Sequence, residues 1–310
     1  MSNELEFLQK YKTKSSPIRA CFCSRSRAGS WEIRGRQMAQ MRLNWEAIDC
    51  NRSVSVDDFD IFCMVKKIDH ILLKKIQKAG KPIVFDIVDS WKQPLHGIIF
   101  GNKNLARWLF KKKWKNINAN GYIFPNIAMY DDLSMLVPNP TTIYHHHRPS
   151  IDVNPIRQSV LKLGYEGGPF LGPWKQRFEA ICERKGLEFV VNPRRLADVD
   201  IVVLARGGLH DNFMANRYKS NVKIANAFAS GTPALAHSNQ TSVREVGNEH
   251  ILFFNDEPDS FERQLDRLIE NYPLRVSINR EFKKAAKEVS IFHIADQAEE
   301  FFKRVAQQRI

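Results

Sequence analysis

Short apolar runs alternate along the chain with segments whose apolar residues recur every three or four positions. The runs predict buried strands, and the spacing of three or four predicts amphipathic helices. Strands that alternate with helices need crossover connections, so the pattern predicts a mostly parallel sheet. In the first half the predicted strands are Ile18–Cys23, Ala47–Cys50, Asp60–Val65, Pro82–Asp86, Gly121–Phe124 and Thr141–Tyr144, with helices over about 35–43 and 68–78.

The segment Tyr144–Pro155 interrupts this pattern. It carries two prolines and no periodicity, which favours a linker between domains. The alternation then begins again and ends in helices. We therefore predict an α/β fold with two Rossmann-like domains, residues 1–150 and 151–310, the second with terminal helices of which the last can pack back on the first domain. The strands predicted there are Val160–Tyr165, Leu187–Val191, Ile201–Leu204, Pro233–Ala236 and Ile251–Phe254; the helices are Trp174–Lys185, Asn221–Ser230, Ser242–Val246, Asp259–Asn271, about Pro273–Glu288 and Ile291–Gln308.

The charge of the chain limits its partners. Lys and Arg number 47 and Asp and Glu number 34, so the formal net charge is +13. Such a protein attracts nucleic acid, anionic lipid or phosphorylated small molecules. No nucleic-acid-binding motif is present, so we expect no nucleic-acid partner. Five cysteines without a regular framework indicate reduced thiols. No signal peptide and no apolar stretch of membrane-spanning length is present, so we expect a cytoplasmic protein.

The segment Lys219–Ala236 predicts an anion site. Ser220 or Asn221 can cap a helix that Gly231 ends, and Lys219 and Lys223 lie at its start. Free backbone N–H groups, the positive end of the helix dipole and two ammonium groups together suit an anion. An ordinary capped helix with solvated lysines is the alternative.

The same segment resembles a known superfamily. Its string AFASGTPALA is similar to the A-x-A-x-G-x-P-V stretch in the C-terminal domain of GT-B glycosyltransferases, and Thr241–Gly247 resembles their P-E-I-V segment. Ile83–Trp91 resembles their segment ending in H-D-x-W. The resemblance is clearest over Leu161–Leu274 and weaker over Ile18–Tyr144. It implies two Rossmann-like domains that face each other across a cleft, with the acceptor on the N-terminal side and the nucleotide sugar on the C-terminal side.

The resemblance also implies an activity. Enzymes of this kind move a sugar from a nucleotide sugar to a glycan or lipid-linked acceptor, here in surface polysaccharide or glycolipid synthesis. Tyr218 and Asn226 stand where many retaining members carry a pair of Glu, and Val88 replaces the His before Asp89. These departures leave two alternatives: a nucleotide-sugar epimerase on the same fold, or a non-catalytic relative that binds glycan or nucleic acid.

Candidate site residues follow from the motifs and from the ends of the predicted strands, where open α/β sheets bind ligands. No cofactor or metal is expected; the His145–His147 run lacks a nearby carboxylate or thiol at ligand spacing. Asp86 and Asp89 can act as general bases or cap a turn. His145 can contact a ligand or lie in a plain linker. Glu245 can accept hydrogen bonds from a ribose diol, or its charge can simply be stabilised by the helix dipole. The donor-binding candidates are Gly167, Arg206, Lys219, Ser220, Asn221, Lys223, Thr241, Ser242 and Glu245; the acceptor or cleft loop contributes Gly29, Ser30, Arg34 and Gly35; the catalytic candidates are Asp86, Asp89 and His145.

One further segment interleaves basic and aromatic residues. It can lie on an anionic membrane surface, which would place the protein peripherally on the inner face of a membrane. A grip on single-stranded nucleic acid and a solvated amphipathic helix are the alternatives. Its residues are Arg107, Trp108, Lys111, Lys112, Lys113, Trp114 and Lys115.

Overall fold

The computed structural model describes residues 2–25, 29–49, 54–89, 101–114, 117–168, 171–247 and 249–308, without the side chains of Ser2, Asn3 and Leu209. The chain divides into two compact units. The first takes in residues up to 89, residues 102–149 and the chain from Ser290 onward, and the second takes in residues 150–289. Each contains one parallel sheet, which confirms the predicted α/β fold class.

The sheet of the first unit has six strands in the order β2-β1-β3-β4-β5-β6, and all paired neighbours run parallel. The order reverses beside β1, so the loops after β1 and β3 leave in opposite directions. This reversal is the switch point at which doubly wound sheets bind ligands. The strands are β1 Ala20–Ser24, β2 Trp45–Asp49, β3 Ile61–Val65, β4 Ile83–Asp86, β5 Gly121–Phe124 and β6 Pro140–Thr142.

The sheet of the second unit has five strands in the order β11-β10-β9-β7-β8. Counted from its own first strand this is the same topology, with the switch point between β7 and β9. The four residues of β9 are all buried, as a strand covered on both faces requires. The strands are β7 Lys162–Tyr165, β8 Glu188–Val191, β9 Ile201–Leu204, β10 Ala234–His237 and β11 Leu252–Phe254.

Helices connect these strands and cover both sheets. In the first unit they are α1 Ser2–Gln9, α2 Gly29–Trp31, the π-helix Glu32–Gln37, α3 His70–Lys78, α4 Lys103–Trp114 and α5 Ile127–Leu133; in the second they are α6 Trp174–Arg184, α7 Phe213–Tyr218, α8 Val222–Ser230, α9 Thr241–Val246, α10 Ser260–Glu270 and α11 Tyr272–Ala285. Short 3-10 turns cover Val56–Asp58, Ser134–Leu136, Leu196–Asp198 and Gly208–His210. None of the helices in the described ranges is long and apolar enough to cross a membrane.

Local sequence explains where the key helices begin and end. Asp69 caps α3, because its carboxylate accepts from the backbone N–H groups of Ile71 and Leu72. Gly231 ends α8 in the left-handed conformation, with φ of 67°, as the sequence predicted. Phe228 of α8 packs on Phe282 of α11, with ring centroids 4.8 Å apart, which fixes the helix against the terminal part of the second unit.

The last helix, α12 Ile291–Gln307, belongs to the first unit, although chain order alone groups it with the second. Its apolar face packs on β5, where a Cβ at Gly121 would lie 2.8 Å from the side chains of Phe301 and Val305. Buried Arg42 donates from Nε to Glu299, also buried, at 2.7 Å. The chain therefore leaves the first unit after β6 and returns to it at α12.

The segment proposed as a linker is ordered at both ends. His145 and His146 are buried in the first unit, and Asn154 is buried in the second. The Asn154 amide donates to Val199 O at 2.7 Å, and its backbone N–H donates to Ser230 O at 2.7 Å. The change of unit at residues 149–150 thus lies between two anchored stretches.

The Arg42–Glu299 pair predicts the stability of the α12 attachment. Arg42→Met should lower the free energy of unfolding of the first unit by about 3–5 kcal/mol, because it removes the guanidinium that contacts the buried Glu299 carboxylate and leaves the more distant Lys303, whose Nζ lies 4.0 Å away. Arg42→Met combined with Glu299→Gln should recover most of that loss. Denaturant titration with hydrogen exchange on α12 measures both. Equal losses in the single and double variants would contradict a coupled pair.

Candidate functional site

The switch point of the second sheet gathers several predicted donor residues. Glu166, Gly167 and Gly168 directly follow β7, and Arg206 lies in the loop after β9. These two strands are neighbours in the sheet, so their following loops emerge side by side at its carboxyl edge.

Lys223, in the first turn of α8, reaches into this switch point. Its Nζ donates to Tyr165 Oη at 3.2 Å and lies 4.3 Å from the centre of the Tyr165 ring. A Cβ at Gly167 would lie 2.6 Å from that Nζ and 2.9 Å from Tyr165 Oη. Gly167 also has a φ of +149°, which side chains rarely adopt. The lysine therefore occupies its place because residue 167 has no side chain.

The surroundings of Lys223 disfavour its charged form. Burial above all, and then the charge of Arg206, lower its pKa to about 7; Lys219 acts in the same direction and Glu166 in the opposite one. Burial likewise raises the pKa of the Tyr165 phenol, which therefore stays protonated. A site with three cationic side chains and one carboxylate favours the binding of an anion, which would restore the lysine's charge.

Two residues of this site, Tyr165 and Glu166, were missed by the sequence reasoning. The Asn226 amide donates to Glu166 at 3.0 Å, so the loop after β7 brings a carboxylate beside the residue that replaces one Glu of the resembled family. Tyr218, at the other replaced position, is buried against Phe213 with centroids 5.7 Å apart. Their position in the sequence could have identified them, because Tyr165 and Glu166 directly precede the predicted site residue Gly167.

The remaining donor candidates lie on elements around this point. Arg206 donates from Nε to Gln240 at 3.2 Å, and Gln240 donates to Asn216 at 3.0 Å, which joins the loops after β9 and β10 to α7. Ser242 donates to Ser220 O at 3.4 Å. The charges of Arg206, Lys219 and Lys223 thus act on one another, and Gly167 lies against the Lys223 ammonium. A hydrogen bond joins Ser220 to Ser242.

The other three donor candidates lie at or near the ends of α8 and α9. Asn221 precedes α8 at the N-cap position, but its side chain makes no capping hydrogen bond. Thr241 is the first residue of α9 and Glu245 the fifth of six, so the expectation that Glu245 lies near the start of this helix, where the dipole would stabilise its charge, is wrong.

The carboxyl edge of the first sheet holds a buried ion pair. Arg34, on the π-helix, donates from Nε to Asp86 at 2.7 Å and from Nη1 to Tyr144 O at 2.9 Å. Both side chains are only 2–3% exposed. Asp86 also accepts from the backbone N–H of Val88 at 3.1 Å. Burial raises the pKa of Asp86, and the positive charge and hydrogen bond of Arg34 oppose that rise.

Asp89 and His145 lie near this pair. Asp89 forms an ion pair with Lys66, which follows β3. His145 is buried, and burial, then the charge of Arg34, lower its pKa well below the usual value, while Asp89 acts in the opposite direction. His146 is hydrogen-bonded to Ile33 O at 3.0 Å, and burial lowers its pKa to about 4. These imidazoles are therefore neutral at pH 7.

The two glycines that the sequence assigned to a loop after β1 lie in helices, Gly29 in α2 and Gly35 in the π-helix, and their surroundings differ. A Cβ at Gly35 would lie 2.0 Å from the Trp31 ring, whereas one at Gly29 would meet no atom of the described residues within 4 Å. Gly35 therefore serves the packing of Trp31, and Gly29 is the position open to an approaching ligand. The Ser30 hydroxyl is buried without a hydrogen-bond partner in the described part of the chain.

Metal-binding clusters are not found among the residues that the structure describes. Cys21, Cys23, Cys63 and Cys182 are buried free thiols, with the Sγ atoms of Cys21 and Cys23 3.3 Å apart.

The chain is similar to solved structures, whereas no family model and no curated protein sequence matches it. AviGT4, a glycosyltransferase involved in avilamycin A biosynthesis, is 13% identical with a TM-score of 0.54, over 94% of this chain and 99% of its own. Trehalose-6-phosphate synthase from E. coli, solved with UDP-2-fluoro glucose, is 13% identical with a TM-score of 0.52, over 80% and 73%.

A third similar structure is larger than this chain. TarM from S. aureus, solved as a variant with fondaparinux, α-GlcNAc-glycerol and UDP, is 12% identical with a TM-score of 0.52. The match covers 78% of this chain and 55% of TarM, so this chain spans about half the length of TarM. At these identities the likeness establishes the fold. The chain shares the GT-B fold of these glycosyltransferases.

Proposed function

We propose that this protein transfers a sugar from a nucleotide-sugar donor, whose diphosphate binds at the switch point of the second unit. The observation that carries the proposal is the placement of Lys223 against Tyr165 and Gly167, within the fields of Arg206 and Lys219. The three similar structures above support it through their fold, and two of them hold UDP or a UDP sugar.

The charge of the donor suits this site. A nucleotide sugar carries about two negative charges on its diphosphate, and Lys223 together with Arg206 and Lys219 places three cationic side chains beside the one carboxylate of Glu166. The backbone N–H groups at the start of α8 add donors on the same side. We assign the nucleoside to the region of Thr241, Ser242 and Glu245, where the carboxylate can accept hydrogen bonds from a ribose diol.

In the proposed reaction the acceptor hydroxyl oxygen bonds to the anomeric carbon of the sugar while the bond from that carbon to the diphosphate oxygen breaks. Lys223 and Arg206 stabilise the negative charge that develops on the leaving diphosphate. The cations of the site can do this themselves, so we propose that no metal is required. The acceptor would be a glycan or a lipid-linked sugar, in surface glycan synthesis on the cytoplasmic side.

The acceptor is assigned to the carboxyl edge of the first sheet, near Gly29 and Ser30. Of the three catalytic candidates, Asp86 is held by Arg34 and by the Val88 N–H, which suits a positioning role. Asp89 is partly exposed and is the proposed proton acceptor for the hydroxyl. Neutral His145 is the proposed hydrogen-bonding group beside it.

A non-catalytic nucleotide- or glycan-binding protein is the second candidate function. The observation that favours it is the replacement of the usual Glu pair by Tyr218 and Asn226. Release of nucleoside diphosphate from a nucleotide sugar, dependent on an acceptor, separates the two. Binding without release would favour the non-catalytic function.

The pKa of Lys223 predicts how binding depends on pH. Between about pH 6 and 8.5 a nucleotide sugar has no titrating phosphate, Tyr165 stays protonated and Arg206 stays charged. Burial, Arg206 and Lys219 lower the pKa of His210 below its usual value, so His210 is mostly neutral at pH 7 and above. Lys223 is charged below its free pKa of about 7, so donor affinity should be greatest there. Above it, binding must take up a proton, and affinity should fall by up to about tenfold per pH unit.

Calorimetry with a panel of nucleotide sugars, in two buffers of different ionisation enthalpy at pH 8, measures that uptake. Lys223→Met should weaken binding by about 1–3 kcal/mol at pH 6 and abolish the proton uptake. Lys175→Met, which removes an exposed lysine paired with Glu179, is the control and should change neither quantity. Absence of nucleotide-sugar binding by the unmodified protein, or unchanged uptake in Lys223→Met, would refute the assignment.

Gly167 gives a separate prediction. Gly167→Ala should weaken nucleotide-sugar binding at least tenfold, because the new methyl group would displace the Lys223 ammonium. Gly186→Ala is the matched control: it also strains a positive φ, +66°, but its methyl group would meet nothing within 4 Å. Both variants should lose about 1 kcal/mol of stability, and only the first should lose binding. Equal binding by the two variants would show that residue 167 does not shape the site.

We also propose that α4 contacts an anionic membrane. Its last turn carries Lys111, Lys112 and Lys113, all exposed, beside Trp108, which is 56% exposed. Trp114 is buried, and Arg107 donates to Asp132 O at 2.9 Å, so neither is available at the helix surface. Lys115 lies outside the described residues. Lysines flanking an exposed indole suit the headgroup region of a membrane.

Sedimentation with vesicles tests this contact. Changing Lys111, Lys112 and Lys113 to Glu should abolish sedimentation with vesicles that contain anionic lipid, and raised salt should weaken it in the unmodified protein. Lys74→Glu with Lys78→Glu alters two exposed lysines of α3 and should retain most of the binding. Sedimentation that is insensitive to both salt and the triple change would favour a merely solvated helix.

A further inference from the structure

A pocket with a volume of about 690 Å³ opens beside α4. Its walls come from three places in the first unit: the second half of α4, the chain that leads into β5 and its second residue, and the residues just before β6. The volume lies in the range of ligand sites, about 300–1,000 Å³. The residues that define it best are Trp108, Lys111, Lys112, Ala119, Tyr122 and Val137.

The position of the pocket separates it from the proposed reaction. Asn118 and Ala119 precede β5, and Val137 and Pro138 precede β6, so the pocket lies toward the amino edge of the sheet. Asp86, Asp89 and His145 follow the carboxyl ends of their strands. The four residues of β5 separate the two edges by roughly 13 Å, at about 3.3 Å per residue. The pocket is therefore a different site from the acceptor site.

The lining is apolar with charge of one sign. Tyr122 and Ala119 are buried at its floor, and Leu136, Val137 and Pro138 form one side. Among the lining residues that the structure describes, the charged ones are Lys111 and Lys112, and none is a carboxylate. The Lys112 ammonium lies 5.0 Å from the centre of the Trp108 ring, at the exposed side of the helix. Cations thus lie beside an apolar cavity, the arrangement that an amphiphile with an anionic end requires.

Lysines at the end of a helix have an ordinary explanation, because they offset the negative end of its dipole. The ends of α3 and α11 carry such lysines as well. Within the described ranges, only the last turn of α4 carries such lysines beside both a pocket of this size and an exposed indole. Dipole compensation explains the charges of α4 but not the cavity beside them.

We infer that this pocket binds the hydrocarbon chain of a membrane lipid whose phosphate headgroup pairs with Lys111 and Lys112. The inference deepens the membrane contact proposed for α4 and does not depend on glycosyl transfer. A lipid held in this way would fix α4 at the membrane surface by one buried chain in addition to charge. One short chain with two cations gives reversible attachment.

A monomeric probe tests the pocket without a membrane. Decyl phosphate, kept below its micelle concentration, should bind the unmodified protein with one-to-one stoichiometry in calorimetry. Hexyl phosphate should bind at least tenfold more weakly, because each methylene buried contributes about fourfold. Decanol and decyltrimethylammonium should bind at least tenfold more weakly than decyl phosphate, and inorganic phosphate should bind hardly at all.

Two variants locate the binding. Val137→Trp, at a half-buried position, should fill the pocket and reduce decyl phosphate affinity at least tenfold. Lys111→Glu with Lys112→Glu changes only exposed side chains and should reduce it by a similar factor. Lys74→Glu with Lys78→Glu, which alters net charge equally on α3, should leave it unchanged. Unaltered nucleotide-sugar binding and melting temperature in Val137→Trp would show that the fold is retained.

The outcomes distinguish the two proposals. If decyl phosphate does not bind, or binds Val137→Trp as tightly as the unmodified protein, the pocket inference is overturned, whatever the vesicles show. If decyltrimethylammonium binds as tightly as decyl phosphate, the assignment of an anionic headgroup is overturned. If decyl phosphate binds as expected but vesicles are not sedimented, the lipid site stands and the membrane contact fails.

Discussion

Both sheets reverse their strand order beside their first strand, and this constraint decides where the carboxyl edge of each sheet opens to a ligand. At the reversal two neighbouring strands send their following loops in opposite directions, so backbone and side chains there face an opening and not a packed helix. In the first unit the loops after β1 and β3 meet at this point, and in the second the loops after β7 and β9. Charged residues of both units collect there.

The two units deal with buried charge in different ways. Arg34 is matched by Asp86 and by a backbone carbonyl, so its charge is compensated within the first unit. For Lys223, the one carboxylate among the described residues that opposes burial and the two neighbouring cations is Glu166, and its pKa falls to about 7. A compensated pair holds a loop in place, whereas an under-compensated cation favours an incoming anion. This difference supports assigning the diphosphate to the second unit.

The surroundings of α8 show how residues from different elements combine at one point. Asn226 occupies a position where the resembled enzymes carry Glu, and its amide donates to the Glu166 carboxylate. That carboxylate comes from the loop after β7 and acts on the charge of Lys223. A motif within one helix cannot predict this contact, because Glu166 precedes Asn226 by 60 positions.

The sequence by itself determined the strands and most helices, because an apolar run such as Ile201–Leu204 has to be buried wherever it lies. It also indicated the anion site, since Lys219, Lys223 and the helix start are local features. It missed α1, α2, α5 and α7, whose eight, three, seven and six residues are too few to show a clear helical period. Tertiary structure alone decided the rest. Tyr165 and Lys223 lie 58 positions apart and Arg42 and Glu299 lie 257 apart, and only the packing of sheet and helices brings such pairs within hydrogen-bond distance and sets the pKa of the lysine.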